Sequence, residues 1–213
     1  MAGKNLTILG ATGATGTCLV QQALAAGHTV TAVVRDPSRL TVPAHSRLRV
    51  VTADVMDPAA VSPAVAGADA VISALGPRGS GPTTVSQDSV RCIIQAMEES
   101  GVQRLLTVSG SIVTNAGGPF LRYVLAPAVR HTLLRHVCAD MRSAEAEIHA
   151  SRLDWTIVRP PRLTGKAASG SYRTAIDRSL PREFTVSRAD LAACMLALLD
   201  DADAVHGHVS IAN

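Results

Sequence analysis

The stretch Gly10-Ala11-Thr12-Gly13-Ala14-Thr15-Gly16 directly follows the apolar run Leu6-Thr7-Ile8-Leu9 and precedes a stretch compatible with a helix. A side chain at its glycines would obstruct the tight turn, the approach of a diphosphate to the backbone N–H groups, or the packing of helix against strand. A phosphate there also meets the positive end of the helix dipole. The stretch therefore predicts a dinucleotide-binding turn, with a tight turn that binds no ligand as the alternative. The predicted contacts come from Gly10, Thr12, Gly13, Ala14, Thr15 and Gly16.

Short β-branched runs recur along the whole chain, and each is followed by a helix-compatible stretch. Three glycines stand where helices are expected to stop: Gly27, Gly67 and Gly101. This alternation is typical of an α/β fold, and we predict a Rossmann-type doubly wound parallel sheet in three layers. The predicted strands are 6–9, 29–34, 48–52, 70–74, 105–108, 156–158 and 208–211, and the predicted helices are 14–26, 58–66, 84–100, 139–151 and 188–200.

The chain of 213 residues has the length of one α/β domain, and no linker, repeat or low-complexity tract divides it. We therefore predict a single domain over 1–213 with a small carboxyl-terminal substrate-side region. Residues 111–137 are the least regular because Gly117-Gly118-Pro119 and Pro127 interrupt them. Residues 111–137 and 160–190 are the predicted substrate-side segments, with a solvated surface as the alternative for the basic residues of the first.

Composition excludes several classes of protein. Hydrophobic residues make up 47% and charged residues 17%, which argues against disorder, while a net charge of +3 and 2% aromatic residues argue against a nucleic-acid partner. Four widely spaced cysteines indicate buried reduced thiols rather than a zinc site or a disulfide framework. No apolar run suggests a signal peptide or a membrane span, so a cytoplasmic location without a membrane partner is expected.

The end of the second strand indicates which dinucleotide binds. Arg35 stands where an acidic residue would otherwise bond the ribose 2′-hydroxyl, and Arg39 follows four positions later. A guanidinium there binds a 2′-phosphate and gains little from a bare hydroxyl, so NADP(H) is predicted over NAD(H). A surface ion pair between Arg35 and the adjacent Asp36 is the alternative.

Two further strand ends complete the predicted cleft, since ligands bind outside the carboxyl ends of parallel strands. Asp54 and Val55 follow the third strand and are assigned to the adenine. Leu75 and Gly76 follow the fourth strand, where a turn poor in side chains lets a nicotinamide ribose lie against the backbone.

Three more segments extend these observations to a family resemblance: V-V-R-D-P-S-R-L at 33–40, A-D-V at 53–55, and Val158-Arg159-Pro160-Pro161. With the glycine turn, they resemble atypical short-chain dehydrogenase/reductases, especially the NmrA-like and biliverdin-IXβ/flavin reductase branch. The resemblance implies NADPH as hydride donor and a small-molecule acceptor such as a flavin or quinone. It places Pro160 beside the nicotinamide and implies substrate contacts from Pro161, Arg162 and Leu163.

One feature departs from the common pattern of that family. Its typical members use Tyr-x-x-x-Lys to exchange a proton with the substrate, but this chain has Val137 and Met141 at the expected positions. Hydride transfer to a conjugated acceptor needs no phenolic acid, so it is favoured over carbonyl chemistry. Ser109 and Ser111 are the nearest matches to the family's catalytic serine, and either is a candidate to bond an acceptor oxygen.

Other polar groups are assigned structural roles. Asp140, Glu145, Glu147 and His149 are interpreted as one solvated helix face, and with His206 and His208 they lack the ligand number of a metal site, so no metal is predicted. Ser187 is predicted to cap a helix.

The sequence thus predicts an NADPH-dependent reductase, a monomer or a homodimer. Two alternatives remain: a non-catalytic NADP(H)-binding redox sensor, and, with less support, a nucleotide-sugar epimerase or dehydratase.

Overall fold

The computed structural model describes residues 3–77, 79, 81–113, 134–181 and 184–213, and its regular elements alternate as the sequence predicts. Within these ranges the strands are β1 (Asn5–Leu9), β2 (Thr29–Val34), β3 (Leu48–Thr52), β4 (Ala70–Ser73), β5 (Arg104–Val108), β6 (Asp154–Arg159), β7 (Arg162–Thr164), β8 (Arg173–Ile176), β9 (Thr185–Ser187) and β10 (Gly207–Ala212). The helices are α1 (Ala14–Ala25), α2 (Pro58–Val65), α3 (Val85–Ser100), α4 (Arg135–Ala150) and α5 (Arg188–Ala197).

The central sheet has eight strands in the order β3-β2-β1-β4-β5-β6-β10-β8, and all neighbouring pairs are parallel except β8 with β10. Strands β7 and β9 form a separate parallel pair. The order reverses between β1 and β4, so a crevice opens at the carboxyl ends of these two strands. The predicted Rossmann-type fold is confirmed.

Each face of the sheet has its own hydrophobic core because successive strand residues point to opposite sides. Leu6 and Ile8 of β1 belong to one core, on which α1 and α5 pack against each other, and Leu9 belongs to the other, which α2, α3 and α4 cover. Both cores consist mainly of Val, Leu, Ile and Ala, with Trp155 at the margin of the second. These cores fix the strand ends that form the site.

The helix stops are confirmed: Gly27, Gly67 and Gly101 have φ of +90°, +77° and +71°, in the left-handed region that favours glycine. Helix α4 begins at Arg135, four residues before the predicted start, and α5 ends at Ala197, where a short 3₁₀ turn continues the chain to 200. Within the described residues, no helix is both long and apolar enough to cross a membrane.

The substrate-side segments differ most from the sequence prediction. Strands β7, β8 and β9 lie in 160–190, where no strand was predicted. Of the segment 111–137, Ser111–Val113 forms a 3₁₀ turn and the last three residues belong to α4, while 114–133 lie outside the described residues.

Candidate functional site

The glycine turn between β1 and α1 leaves no room for side chains. Gly10 has φ +79°, and a Cβ there would lie 2.8 Å from the carbonyl oxygen of Ala74, at the end of β4. A Cβ on Gly16 would lie 2.7 Å from the carbonyl carbon of Gly10. The Gly13 amide closes the turn by donating to the Gly10 carbonyl at 2.9 Å. At Gly10 and Gly16 the backbone is therefore packed too closely against its neighbours to admit a side chain.

The amino terminus of α1 is suited to an anion. Gly13 is the N-cap residue, and it provides no side-chain hydrogen bond to the first turn. Because the first N–H groups of a helix have no partner within it, the amides of Ala14, Thr15 and Gly16 are available to an external acceptor, with the helix dipole adding positive charge. The start of α1 can therefore hold a diphosphate.

A cleft of about 570 Å³ extends from this turn across the carboxyl ends of β1, β2 and β4. It lies where the strand order reverses, the usual position of a ligand in an open α/β sheet. Eight of the predicted cofactor residues line it: Gly10, Thr12, Gly13, Arg35, Arg39, Val55, Leu75 and Gly76. The structure adds residues that the sequence did not assign to the cofactor, among them Asp36, Met56 and Val85.

The two arginines of the cleft form no ion pair with an acidic residue in the described part of the chain. Arg35 and Arg39 are exposed, and neither forms an ion pair within 4 Å among the described residues. The carboxylate of Asp36 instead accepts hydrogen bonds from the Ser38 hydroxyl at 2.6 Å and the Ser38 amide at 3.0 Å, which lower the pKa of Asp36. The alternative Arg35–Asp36 pair is therefore not formed, and both guanidinium groups remain open to a ligand.

Some predicted site residues do not line the cleft. The carboxylate of Asp54 accepts a hydrogen bond from the Met56 amide of the same loop at 3.1 Å. Pro160 is buried. Arg162 and Leu163 belong to β7, and Leu163 packs on the core while Pro161 is half-buried. None of these borders the cleft in the part of the chain that is described.

Behind the cleft lies a second, much smaller cavity of about 20 Å³, and Leu75 borders both. Ser109 lines this cavity just past β5, and its amide donates to the Val158 carbonyl at 2.8 Å. Ser111, whose amide donates to the Pro160 carbonyl at 2.9 Å, does not line it. Of the two candidate serines, Ser109 is thus the one beside the cavity that adjoins the cleft.

The interpretation of α4 as a solvated face is wrong for two of its acidic residues. Asp140 is buried and accepts from the amides of Ser86 and Gln87, both at 2.9 Å, so it caps α3 from another helix. Glu145 is buried and forms two hydrogen bonds with Arg159 of β6, at 2.6 and 3.0 Å. Burial raises the pKa of Glu145, but the bonds from Arg159 outweigh it, so the net shift is downward and the carboxylate stays ionised.

The outer part of α4 makes surface contacts. Glu147 pairs with Arg91 at 2.6 Å, and the Nε2 atoms of His149 and His208 lie 3.0 Å apart. No group of three or more potential metal ligands occurs among the residues described. The Ser187 cap is confirmed, since its hydroxyl accepts from the Asp190 amide at 2.9 Å.

The cysteines lie apart from the cleft. No disulfide joins them; Cys138 and Cys194 are buried, as predicted, whereas Cys18 and Cys92 are only half-buried. Burial raises the pKa of Cys194 to about 12, so this thiol is inert.

Comparison with known proteins extends these observations. Residues 10–202 match the model of an NAD(P)H-binding family. The chain is 30% identical over 201 residues to an uncharacterized chloroplastic protein of Arabidopsis thaliana, covering 86% of this chain and 71% of that protein. It is similar to a candidate epimerase of Bacteroides thetaiotaomicron, with 28% identity, a TM-score of 0.82, and coverage of 99% and 97% of the two chains. A short-chain dehydrogenase/reductase of Veillonella parvula in complex with NADP shares the fold, at 19% identity, a TM-score of 0.81, and coverage of 99% and 94%.

Proposed function

Because the chain belongs to the NAD(P)H-binding family, we propose that it is an NADPH-dependent oxidoreductase that passes hydride to a flavin, a quinone or a similar conjugated acceptor. One observation carries the choice of cofactor. Two exposed arginines, neither of which forms an ion pair with another described residue, line the same cleft as the glycine turn. A cleft that offers both backbone amides and uncommitted guanidinium groups matches a dinucleotide with an additional phosphate.

Each part of the cofactor has a matching part of the cleft. The diphosphate binds the amides at the start of α1, and the 2′-phosphate binds Arg35 and Arg39. The adenine lies against Val55 and Met56, whose side chain is 38% exposed. The nicotinamide ribose follows the turn at Leu75 and Gly76 toward the cavity that Ser109 borders.

The preference for a conjugated acceptor rests on the proton donors that the site offers. Val137 is buried and Met141 lines the small cavity, so the two positions of α4 that carry Tyr and Lys in typical members hold apolar side chains here. The bound nicotinamide supplies the hydride, and a conjugated acceptor spreads the resulting charge without a strong acid beside it. Ser109 is proposed to donate a hydrogen bond to the acceptor oxygen where that charge develops.

The test is a turnover assay with purified protein, NADPH, and a panel of FMN, FAD and substituted quinones. We expect NADPH oxidation with at least one acceptor, and a lower kcat in Ser109→Ala with unchanged NADPH affinity. Nucleotide sugars in the same panel test the epimerase alternative that the similar Bacteroides protein suggests. Binding of NADPH without turnover of any acceptor would overturn the reductase.

A non-catalytic redox sensor is the second candidate, and the same two apolar residues, Val137 and Met141, favour it. A sensor binds NADPH and NADP⁺ with clearly different affinities and consumes neither. Titration with both forms, beside the turnover assay, separates the two proposals. The cytoplasmic location and the monomeric or homodimeric state stay predictions.

A further inference from the structure

Two buried hydroxyl groups behind the cleft form no well-aligned hydrogen bond with another described residue, although one of them lies near the Glu145 carboxylate. Ser86 and Ser109 are each only 9% exposed, and no described residue forms a hydrogen bond of acceptable geometry with either Oγ atom. Buried polar groups in native proteins are nearly always paired, because an unpaired one loses its bonds to water without replacement. Two such groups bordering one cavity indicate a shared polar ligand.

The cavity has the size and the lining for one particular ligand. Its volume of about 20 Å³ exceeds the roughly 10–15 Å³ that a cavity needs in order to hold one water molecule. Apolar side chains form much of the lining, but Glu145 adds a carboxylate, and five of the lining residues carry hydroxyl groups: Ser73, Ser86, Ser89, Thr107 and Ser109. A cavity of this size with two unpaired hydroxyl groups in its wall suits one water molecule.

The position of Ser86 is fixed by an independent contact. Its amide donates to Asp140 at 2.9 Å, and Ser89, one turn along α3, already donates its hydroxyl to the Ser86 carbonyl at 3.2 Å. Ser86 is therefore held at the cavity wall, and its O–H group donates no hydrogen bond to a described residue.

We propose that this cavity binds one water molecule between Ser86 and Ser109, which makes Ser86 a positioning residue for the Ser109 hydroxyl. The catalytic part of this inference rests on the proposed function, in which Ser109 donates to the acceptor. Ser86 donates to the water, and the water donates to the Ser109 oxygen. The single hydroxyl proton of Ser109 then points toward the cleft, and such chains polarise the terminal donor.

The proposed water also donates a hydrogen bond to Glu145 in place of the Ser109 hydroxyl. The Ser109 hydroxyl lies close enough to this carboxylate to help lower its pKa, and an ionised carboxylate only accepts hydrogen bonds. Without a competing donor, Glu145 draws the Ser109 proton away from the cleft. The second hydrogen of the water is directed to Glu145 and releases Ser109 for the acceptor.

The direct test is a high-resolution crystal structure of the unliganded protein. We expect one ordered water within about 2.6–3.2 Å of both Oγ atoms. The same structure of Ser86→Ala should lose that water or show it displaced. A cavity without ordered density in the unmodified protein would overturn the inference, and this result does not depend on any activity.

The kinetic test compares Ser86→Ala with Ser89→Ala. The control removes a hydroxyl group from the same cavity wall, but that hydroxyl already has a hydrogen-bond partner. Ser86→Ala should lower kcat about tenfold with KM for NADPH unchanged, Ser89→Ala should leave kcat within about twofold, and Ser86→Thr should restore most of the rate. Because Ser86 acts through Ser109, the double variant Ser86→Ala/Ser109→Ala should be no slower than Ser109→Ala alone.

Additive losses in the double variant, or equal rates in Ser86→Ala and Ser89→Ala, would overturn the positioning role. Failure of the unmodified protein to oxidise NADPH with any acceptor would instead overturn the proposed reductase, and the crystal structure would still decide whether the cavity holds water.

Discussion

Replacing Arg35 by alanine should weaken NADPH binding far more than NADH binding. A charge-assisted hydrogen bond contributes about 1.5–3 kcal/mol, which corresponds to a loss of about 10- to 150-fold in affinity. Arg39 borders the same cleft and retains part of the 2′-phosphate contact, so we expect a value near the lower end. NADH lacks that phosphate, and its affinity should change by less than about twofold.

The structure also supplies the controls for this prediction. Arg35 is exposed and forms no ion pair among the described residues, so its removal should leave the free energy of unfolding unchanged. Arg49 is an exposed arginine on the neighbouring strand β3 that does not border the cleft, and Arg49→Ala should bind both cofactors normally. Fluorescence titration of the unmodified protein and both variants with NADPH and NADH measures all six affinities. Equal losses for the two cofactors in Arg35→Ala would refute the assignment of the 2′-phosphate contact.

Three further predictions concern the backbone and the buried charges. Gly16→Ala should lower the free energy of unfolding by about 1–3 kcal/mol and impair NADPH binding, because the added Cβ meets backbone atoms. A Cβ on Gly76 has no atom within 4 Å, so Gly76→Ala should change the free energy of unfolding by less than about 0.5 kcal/mol. Equal melting temperatures of the two variants would contradict this prediction. Arg159→Met leaves Glu145 buried without its partner and should cost about 3–5 kcal/mol in urea denaturation, and a loss below about 1 kcal/mol would show that the pair is solvated. Burial raises the pKa of Asp190, but hydrogen bonds led by the Ser169 amide lower it to about 2 from 3.8. The stability that the ionised carboxylate contributes is therefore complete above pH 4 and is lost as pH falls toward 2. Asp190→Asn should flatten the fall of the melting temperature over this pH range, and an unchanged fall would exclude Asp190 as its source.

The sequence predicts the central fold because its signals are local and repeated. The glycine stops and the β-branched runs mark each βα unit, and the structure keeps most of their bounds within two residues. Strands β7, β8 and β9 have only three or four residues each, too few to show a hydrophobic period. Their pairing depends on contacts with distant segments.

The site is predicted unevenly for a similar reason. The glycine turn and Arg35 follow directly from motifs, whereas the burial of Asp140 and Glu145 depends on partners far along the chain. Asp140 caps a helix that begins more than 50 residues earlier, and Glu145 binds Arg159 on a different element. The sequence spacing of residues in α4 shows which of them share a helix face, but it does not show which other elements pack on that face. Met56 had the clearest available signal, since it follows Asp54 and Val55 at the same strand end.

A crystal structure with NADP⁺ bound tests the central claim most directly, namely that the backbone between β1 and α1 holds the cofactor diphosphate. The account predicts diphosphate oxygens within about 3.2 Å of the amides of Ala14, Thr15 or Gly16, with the 2′-phosphate beside Arg35. An unoccupied turn in a crystal saturated with NADP⁺, or a cofactor bound elsewhere on the sheet, would contradict it.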